Sequence, residues 1–335
     1  MKILLISPTF SGIGGVAQHT RGLNKFLMNS GNNVEIISSE NSFTLPIKGL
    51  KNPSFMLSSS LKTRFMKKYD IVHAHNIPSA QAMKNAKGKK ILTLHGIFSE
   101  QIDMLHGKKF SNISQKYEKD ALLWADAITA VSKDAQKHYE KLGFKVHNIP
   151  NAIDIDSLPK SENRLYEKQI IYVGRLSKEK GILELLEQMK TLSEDINLII
   201  IGRGPEVELV KKASKQKNIH YLDYLPPEKT IPLIRGSDIL IQPSLIEGIS
   251  TSILESMACK TAVIATNVGG NKEILSDHDT GILVQNHDDI LETINELYSN
   301  TLLQNSITES AFTKVQKYDW KTIGKQYLEL YSSLV

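Results

Sequence analysis

The chain has 335 residues, 41% apolar and 23% charged, with a single cysteine and no run approaching the ~20 apolar residues of a membrane span. These proportions fit a globular protein of about two domains and exclude a disulfide framework or a cysteine-based metal cluster. The net charge of +5 hides an asymmetry. Residues 1–150 carry 21 Lys and Arg against 10 Asp and Glu, and residues 151–335 carry 20 against 26, so the first half is expected to face an acidic partner. The N-terminal MKILLISP is too short for a signal-peptide core and reads as a strand. A cytoplasmic protein is expected, with an inner-membrane surface open to it. Cys259, in ESMACKTAVIAT, reads as a buried structural thiol.

Twelve short runs rich in Ile, Val and Leu recur along the chain with helical spacing between them. In order they are KILLIS (2–7), VEIIS (34–38), IVHAH (71–75), ILTLH (91–95), AITAVS (127–132) and VHNIP (146–150), then QIIYVG (169–174), NLIIIG (197–202), IHYLDY (219–224), ILIQP (239–243), TAVIAT (261–266) and GILV (281–284). Continuous apolar strands of this length belong to sheets covered on both faces, and strand–helix alternation predicts parallel βαβ units. The expected fold is α/β, two doubly wound domains side by side, with the linker in the aperiodic stretch 150–168. Such sheets bind ligands beyond the carboxyl ends of their strands, at the switch point; two such edges facing each other would make a cleft.

The loops after strands hold most of the unusual residues. SPTFSGIGGVAQHT places Gly12, Gly14 and Ala17 in G-x-G-x-x-[GA] spacing, with Glu40 beyond the second strand, as in dinucleotide-binding turns. Here, however, four residues separate the strand end at Ser7 from Gly12. The broader expectation is a loop that brings backbone N–H groups to an anion or sugar at a helix N-terminus. In VGRLSKEKG (173–181), Arg175 and Lys180 span a turn into a helix starting near Gly181, which suits a diphosphate. IGRGPE (201–206) reads first as a tight bend. His95 ends the strand in LTLHG and is expected to point at ligand. His73 and His75 are read as lying on alternate faces of their strand, hence as core packing rather than a side-by-side metal pair. His19 is left undecided.

The segment ILIQPSLIEGISTSILESMA reads as strand, loop and helix, with Glu247 before the helix and Glu255 inside it. Eight residues of helix would separate them by ~12 Å, more than the ~5–9.5 Å of glycosidase carboxylate pairs. They are better placed to grip two parts of one long ligand, with the helix N-terminus near Ser250 and Thr251 offering N–H groups to a phosphate between them; Gly248, Ile249 and Ser250 are expected on the donor diphosphate. A capping box between Ser252 and Glu255 is the competing structural reading.

Taken together, GIGGVAQHT, LTLHG, AVSK, PNAID, VGRLSKEKG, IGRGPE, PSLIEGISTSILESMAC and VGGNKEIL make the chain resemble the retaining glycosyltransferases of family 4, with the GT-B twin-domain fold, over nearly its whole length. The resemblance implies Arg175 and Lys180 on the donor diphosphate and Gly14 and Gly15 facing it. It implies Glu255 on the ribose, Glu247 on the donor sugar hydroxyls, His95 near the transferred sugar, and a backbone contact near Leu225 for the base. It also implies that the amphipathic segment 318–334 crosses back to the first domain, giving an acceptor domain of residues 1–155 plus 317–335 and a donor domain of 156–316. Two positions depart from the family pattern: Ile249-Ser250 follow Glu247-Gly248 where Phe-Gly is frequent, and Ala152 stands where Gly is frequent.

The expected reaction is therefore sugar transfer, with retention, from a UDP- or GDP-linked sugar to a hydroxyl of a glycan or lipid-linked acceptor. A non-hydrolysing sugar-nucleotide epimerase of the same architecture, an NAD-dependent oxidoreductase and a non-catalytic nucleotide-sugar module are the alternatives. No cofactor, bound metal or nucleic-acid partner is expected; Asp154 and Asp156 mimic a D-x-D metal motif but follow Pro150-Asn151 in the linker. The basic stretch 54–70, with Leu57, Leu61 and Phe65 at four-residue steps among Lys62, Arg64, Lys67 and Lys68, has two readings: a helix lying in an anionic lipid interface, or one packing its apolar side on the sheet.

Overall fold

The computed structural model describes residues 1–11, 14–45, 47, 50–100, 102 and 111–335; Gly12 of the glycine loop lies outside the described residues. The chain divides into two compact units, Met1–Ala152 with Trp320–Val335, and Ile153–Asp319.

In the first unit the strands are β1 (Lys2–Ile6), β2 (Asn33–Ile37), β3 (Ile71–His75), β4 (Lys89–Leu94), β5 (Ala127–Ala130) and β6 (Val146–Asn148). They form one parallel sheet of order β2-β1-β3-β4-β5-β6. In the second they are β7 (Lys168–Val173), β8 (Ile196–Ile201), β9 (Ile219–Leu222), β10 (Ile239–Gln242), β11 (Ala262–Thr266) and β12 (Ile282–Val284), in the order β12-β11-β10-β7-β8-β9. Central strands are buried on both faces, which is why they read as unbroken apolar runs. The order reverses between β1 and β3 in the first unit and between β7 and β10 in the second, so each unit has a switch point where the loops of two neighbouring strands diverge.

Two helices close the back of the first sheet. Helix Gly15–Asn29 buries Ala17, His19, Thr20, Leu23 and Leu27, and helix Trp320–Leu334 buries Trp320, Ile323, Gly324, Tyr327, Leu330 and Tyr331, both at helical spacing. They pack closely through glycine: a Cβ on Gly22 would collide with the Trp320 indole, and one on Gly324 with the Phe26 ring.

Two expectations are corrected here. His73 and His75 are two residues apart on β3 and so share a face; their rings lie 4.3 Å apart, centroid to centroid, and both are fully buried. The basic segment forms helix Lys51–Arg64, whose buried side is Phe55, Ser59, Ser60 and Thr63. Leu57, Leu61 and Phe65 do not pack on the sheet; they are 76%, 59% and 81% exposed.

Candidate functional site

The loops after β7 and β10 meet at the switch point of the second unit. After β7 the chain makes a short 3-10 turn, Lys178–Lys180, and then Gly181 at φ 67° before helix Ile182–Gln188. Glycine is required there twice over, because a side chain would resist the left-handed backbone and its Cβ would strike the Pro243 carbonyl. This close approach sets Lys180 against the loop after β10. Lys180 Nζ donates to Glu247 Oε1 at 2.8 Å and Oε2 at 2.7 Å. Glu247 is held from behind as well, since Oε2 accepts from Ser244 Oγ at 3.0 Å and from Gln242 Nε2 at 3.3 Å. The Gln242 side-chain carbonyl accepts from Ser252 Oγ at 2.9 Å, and Ser252 Oγ lies 3.0 Å from Ser250 Oγ. The result is a continuous polar chain from Lys180 to the start of helix Thr251–Cys259.

Ser250 is the N-cap of that helix, its hydroxyl accepting from the Ile253 amide, a capping role that serine fills well. The cap therefore lies two residues before Ser252, so the Ser252–Glu255 capping box is not formed. Glu255 instead sits in the second turn, buried. The Glu247-Gly248 backbone is pressed by a third loop. The Gly270 amide donates to the Glu247 carbonyl, and side chains on Gly269 (φ 48°) or Gly270 would collide with the carbonyls of Glu247 and Gly248. VGG in VGGNKEIL is thus a packing device for the glutamate loop.

Arg175 stands apart, with a side chain 57% exposed and a 3.6 Å contact to Glu179. The glycines of IGRGPE are structural: Gly202 backs onto the Gly174 carbonyl and Gly204 onto that of Leu176. Leu225 is half-buried, and its carbonyl accepts from Thr230 Oγ1 at 3.0 Å. Asp154 caps the short turn Ile155–Ser157 through the Ser157 amide, a local role for the first aspartate of the D-x-D mimic. Tyr172, beneath the site, has its phenol pushed up by burial and by the Glu247 and Glu179 carboxylates.

At the first unit's switch point, Gly14 caps helix Gly15–Asn29 at φ 114° with no side-chain cap, and among the described residues nothing lies within 4 Å of where a Cβ on Gly14 or Gly15 would be. The N–H groups of a helix's first turn have no intrahelical partner. Glu40 is occupied locally, accepting from the Phe10 and Ser11 amides, so the acid of the dinucleotide-type pattern serves as a loop anchor. His95 follows β4 directly, with its amide on Asn76 Oδ1 at 2.9 Å. Its Nε2 lies 3.2 Å from His75 Nδ1, and His19 is edge-on to both rings. Burial lowers the pKa of His19 and His75 well below the usual imidazole range and takes His73 and His95 to about 3. All four rings are neutral near pH 7.

Sequence reasoning singled out Lys180, Glu247, Glu255 and Ser250 but passed over Gln242, Ser244 and the two glycines of VGG. Gln242 had a signal: a polar residue closing an otherwise apolar strand.

The family model for Glycosyl transferases group 1 matches residues 154–314, and that for Glycosyltransferase Family 4 matches residues 13–157. The chain is similar to the phosphatidyl-myo-inositol mannosyltransferase of Mycobacterium leprae, 23% identical over 371 residues, covering 100% of this chain and 97% of the relative. Among solved structures it is similar to sucrose-phosphate synthase from Thermosynechococcus elongatus, with a TM-score of 0.83, 19% identity, and 99% and 98% of the two chains covered. It is also similar to Anabaena Alr3699/HepE in complex with UDP-glucose, with a TM-score of 0.75, 20% identity, and 99% and 100% covered. With both halves matched by consecutive family models, and each unit built on a six-stranded parallel sheet as in GT-B structures, the chain belongs to the family 4 type of glycosyltransferases.

Proposed function

We propose that the enzyme moves a hexose from a nucleotide-diphosphate sugar to a hydroxyl of a glycan or lipid-linked acceptor, with retention. The observation that carries this reading is the Lys180–Glu247 pair at the second unit's switch point. Lys180 spends two of its three N–H donors on Glu247 and keeps one for a phosphate oxygen. Among the described residues, Glu247 Oε2 is filled by Lys180, Gln242 and Ser244, whereas Oε1 takes Lys180 alone. Oε1 therefore has acceptor capacity left for a sugar hydroxyl. The first-turn amides beside Gly248, Ile249 and Ser250, with Arg175 and Lys180, would carry the diphosphate, Glu255 the ribose, and the Leu225 backbone the base. Gly14 and Gly15 would face the diphosphate and His95 the transferred sugar.

In the reaction the bond from the anomeric carbon to the diphosphate oxygen breaks, the acceptor oxygen bonds to that carbon on the same face, and the acceptor proton passes to the departing diphosphate. The protein's share is to position the reactants and stabilise charge on the leaving group. With two cations and helix amides at hand, we propose no metal in the donor site. UDP-glucose occupies the Anabaena neighbour, which supports a nucleotide-sugar donor here. The test is a thermal-shift screen of nucleotide sugars: a ligand at 100 times its dissociation constant adds ~2.7 kcal/mol of stability. Conversion of a donor to its epimer without any acceptor would favour the epimerase, and saturable NADH binding the oxidoreductase.

The same reading includes an anionic membrane surface for the first unit. No helix among the described residues is long and apolar enough to cross a membrane. On helix Lys51–Arg64, however, Leu50, Leu57, Leu61 and Phe65 line an exposed face. Ser54 and Ser58 on that face tie down the adjoining segment, bonding the Leu45 amide at 2.9 Å and the Phe43 carbonyl at 2.7 Å, so that exposed Phe43 joins it. Lys51, Lys62 and Arg64 belong to the same helix, and Lys67 and Lys68 follow it. Apolar side chains with a basic rim suit an anionic lipid interface. Vesicle co-sedimentation should require anionic lipid, fall with salt, and fall again when Leu57, Leu61 and Phe65 become Ser. Indifference to anionic vesicles at low salt would make a soluble acceptor the better reading.

A further inference from the structure

We propose that His19, His75 and His95 form a binding site for a divalent cation of the zinc class. The three side chains come from the helix after β1, the end of β3 and the residue after β4, and one ring nitrogen from each lies within 4.8 Å of the others. A tetrahedral centre with zinc–nitrogen bonds of ~2.0–2.1 Å needs ligand nitrogens about 3.3–3.4 Å apart. His75 Nδ1 and His95 Nε2 are already 3.2 Å apart, so one edge of the tetrahedron exists before any ion arrives.

The surroundings support the same assignment. His19 Nε2 lies 3.3 Å from the Tyr327 hydroxyl, which leaves Nδ1 to serve as the ligand while Nε2–H is oriented from behind, as ligating histidines usually are. His73, against His75, is spoken for at both nitrogens by Tyr331 and Thr93 and belongs to the supporting layer. His75 Nε2 has no partner among the described residues. The proton shared between His75 Nδ1 and His95 Nε2 moves to the far nitrogen of its own ring, so neutral imidazoles bind the ion without net proton release. His19 and His75 are sealed and His95 is 9% exposed; three imidazoles leave the fourth ligand position of a tetrahedral ion to water.

The consequence for transfer rests on the proposed placement of His95 beside the sugar: an ion on the triad would withdraw His95 from that duty, and zinc would inhibit. The test uses the untagged full chain and zinc alone, with competition against a chromophoric chelator and zinc-edge X-ray absorption. One equivalent should bind, with three imidazole nitrogens in the absorption fit. His75→Gln and His19→Gln should each weaken binding by more than the ~10–100-fold that loss of an outer-shell partner costs. The exposed His278, which sits beside Asp277 and Glu296, is the decoy, and His278→Ala should change nothing. A shell with one imidazole or none, read on the wild type and so independent of how the variants fold, overturns the proposal. So does binding that survives His75→Gln but not His278→Ala. Zinc held by three imidazoles without loss of transfer upholds the metal site and removes His95 from the sugar instead.

Discussion

The two switch points are built on the same strand geometry and handle charge in opposite ways. The second unit, acidic in total, concentrates a cation and a carboxylate at its edge and satisfies them through Gln242, Ser244 and Ser252. The first, with 21 Lys and Arg against 10 Asp and Glu in residues 1–150, keeps four neutral histidines and an open glycine turn there. Net charge by domain thus says little about the charge of a site. The excess cations of the first unit lie on its surface, around helix Lys51–Arg64 among other places, while the second unit's site depends on pairing.

The comparison breaks most readily on the side held by packing. Trp320 fills the space that Gly22 leaves and is buried with Tyr327 and Tyr331. Trp320→Ala should cost ~3–5 kcal/mol, lower the melting transition of the first unit and leave nucleotide binding by the second intact. Calorimetry that shows both units losing stability together would mean they unfold as one.

Acid should act on the same side. His73 and His95 titrate near 3 when folded and near ~6.5 when unfolded. Below pH 6.5 the unfolded chain takes up protons that the folded chain refuses, so stability falls as pH drops towards 3. Two such histidines remove about 3 kcal/mol between pH 6.5 and pH 5. Denaturant midpoints across that window should slope downward, and His73→Asn should flatten the slope. A midpoint independent of pH from 7 to 5 would show that the cluster is hydrated in solution.

On the charged side, Lys180→Ala should weaken nucleoside-diphosphate binding by ~1.5–3 kcal/mol, the range for a hydrogen bond to a charged group. Arg175→Ala, on a side chain more than half exposed, should lose less. Isothermal titration with UDP and GDP orders the two; equal losses would restore Arg175 as a full partner of the clamp.

Much of this was legible in the sequence because it is local or periodic. Every apolar run became a strand, and the central ones, buried on both faces, leave no alternation to misread. Glu247 fell in the loop and Glu255 in the helix because the turn from ILIQP to the helix is short. What was missed depends on one element approaching another. Pairing of Lys180 with Glu247 follows from Gly181 nesting on Pro243, and the role of Gly269 and Gly270 from carbonyls far away in sequence. The exposed stripe of Leu57, Leu61 and Phe65 could not be told from a packed one, because Phe55, Ser59 and Thr63 offer the sheet an equally good face. The error at His73 and His75 was one of period: residues two apart on a strand lie side by side.

Gln242 gives the finest test of the contrast. It does not reach the ligand in the proposed arrangement; it joins the Glu247 carboxylate to the helix cap through Ser252. Gln242→Leu keeps roughly the same bulk but removes a donor to Glu247 Oε2 and the acceptor of the Ser252 hydroxyl. Since a net hydrogen bond is worth ~0.5–1.5 kcal/mol, turnover should fall about tenfold at most while the donor Michaelis constant stays put, because the carboxylate remains paired with Lys180 but is less firmly aimed. Glu255→Gln should do the reverse, raising the Michaelis constant through the ribose with a smaller effect on turnover. Steady-state kinetics on the two variants separate aiming from holding; a shared pattern, or a loss at Gln242 that tracks only the melting temperature, would reduce the polar chain to ordinary core hydrogen bonding.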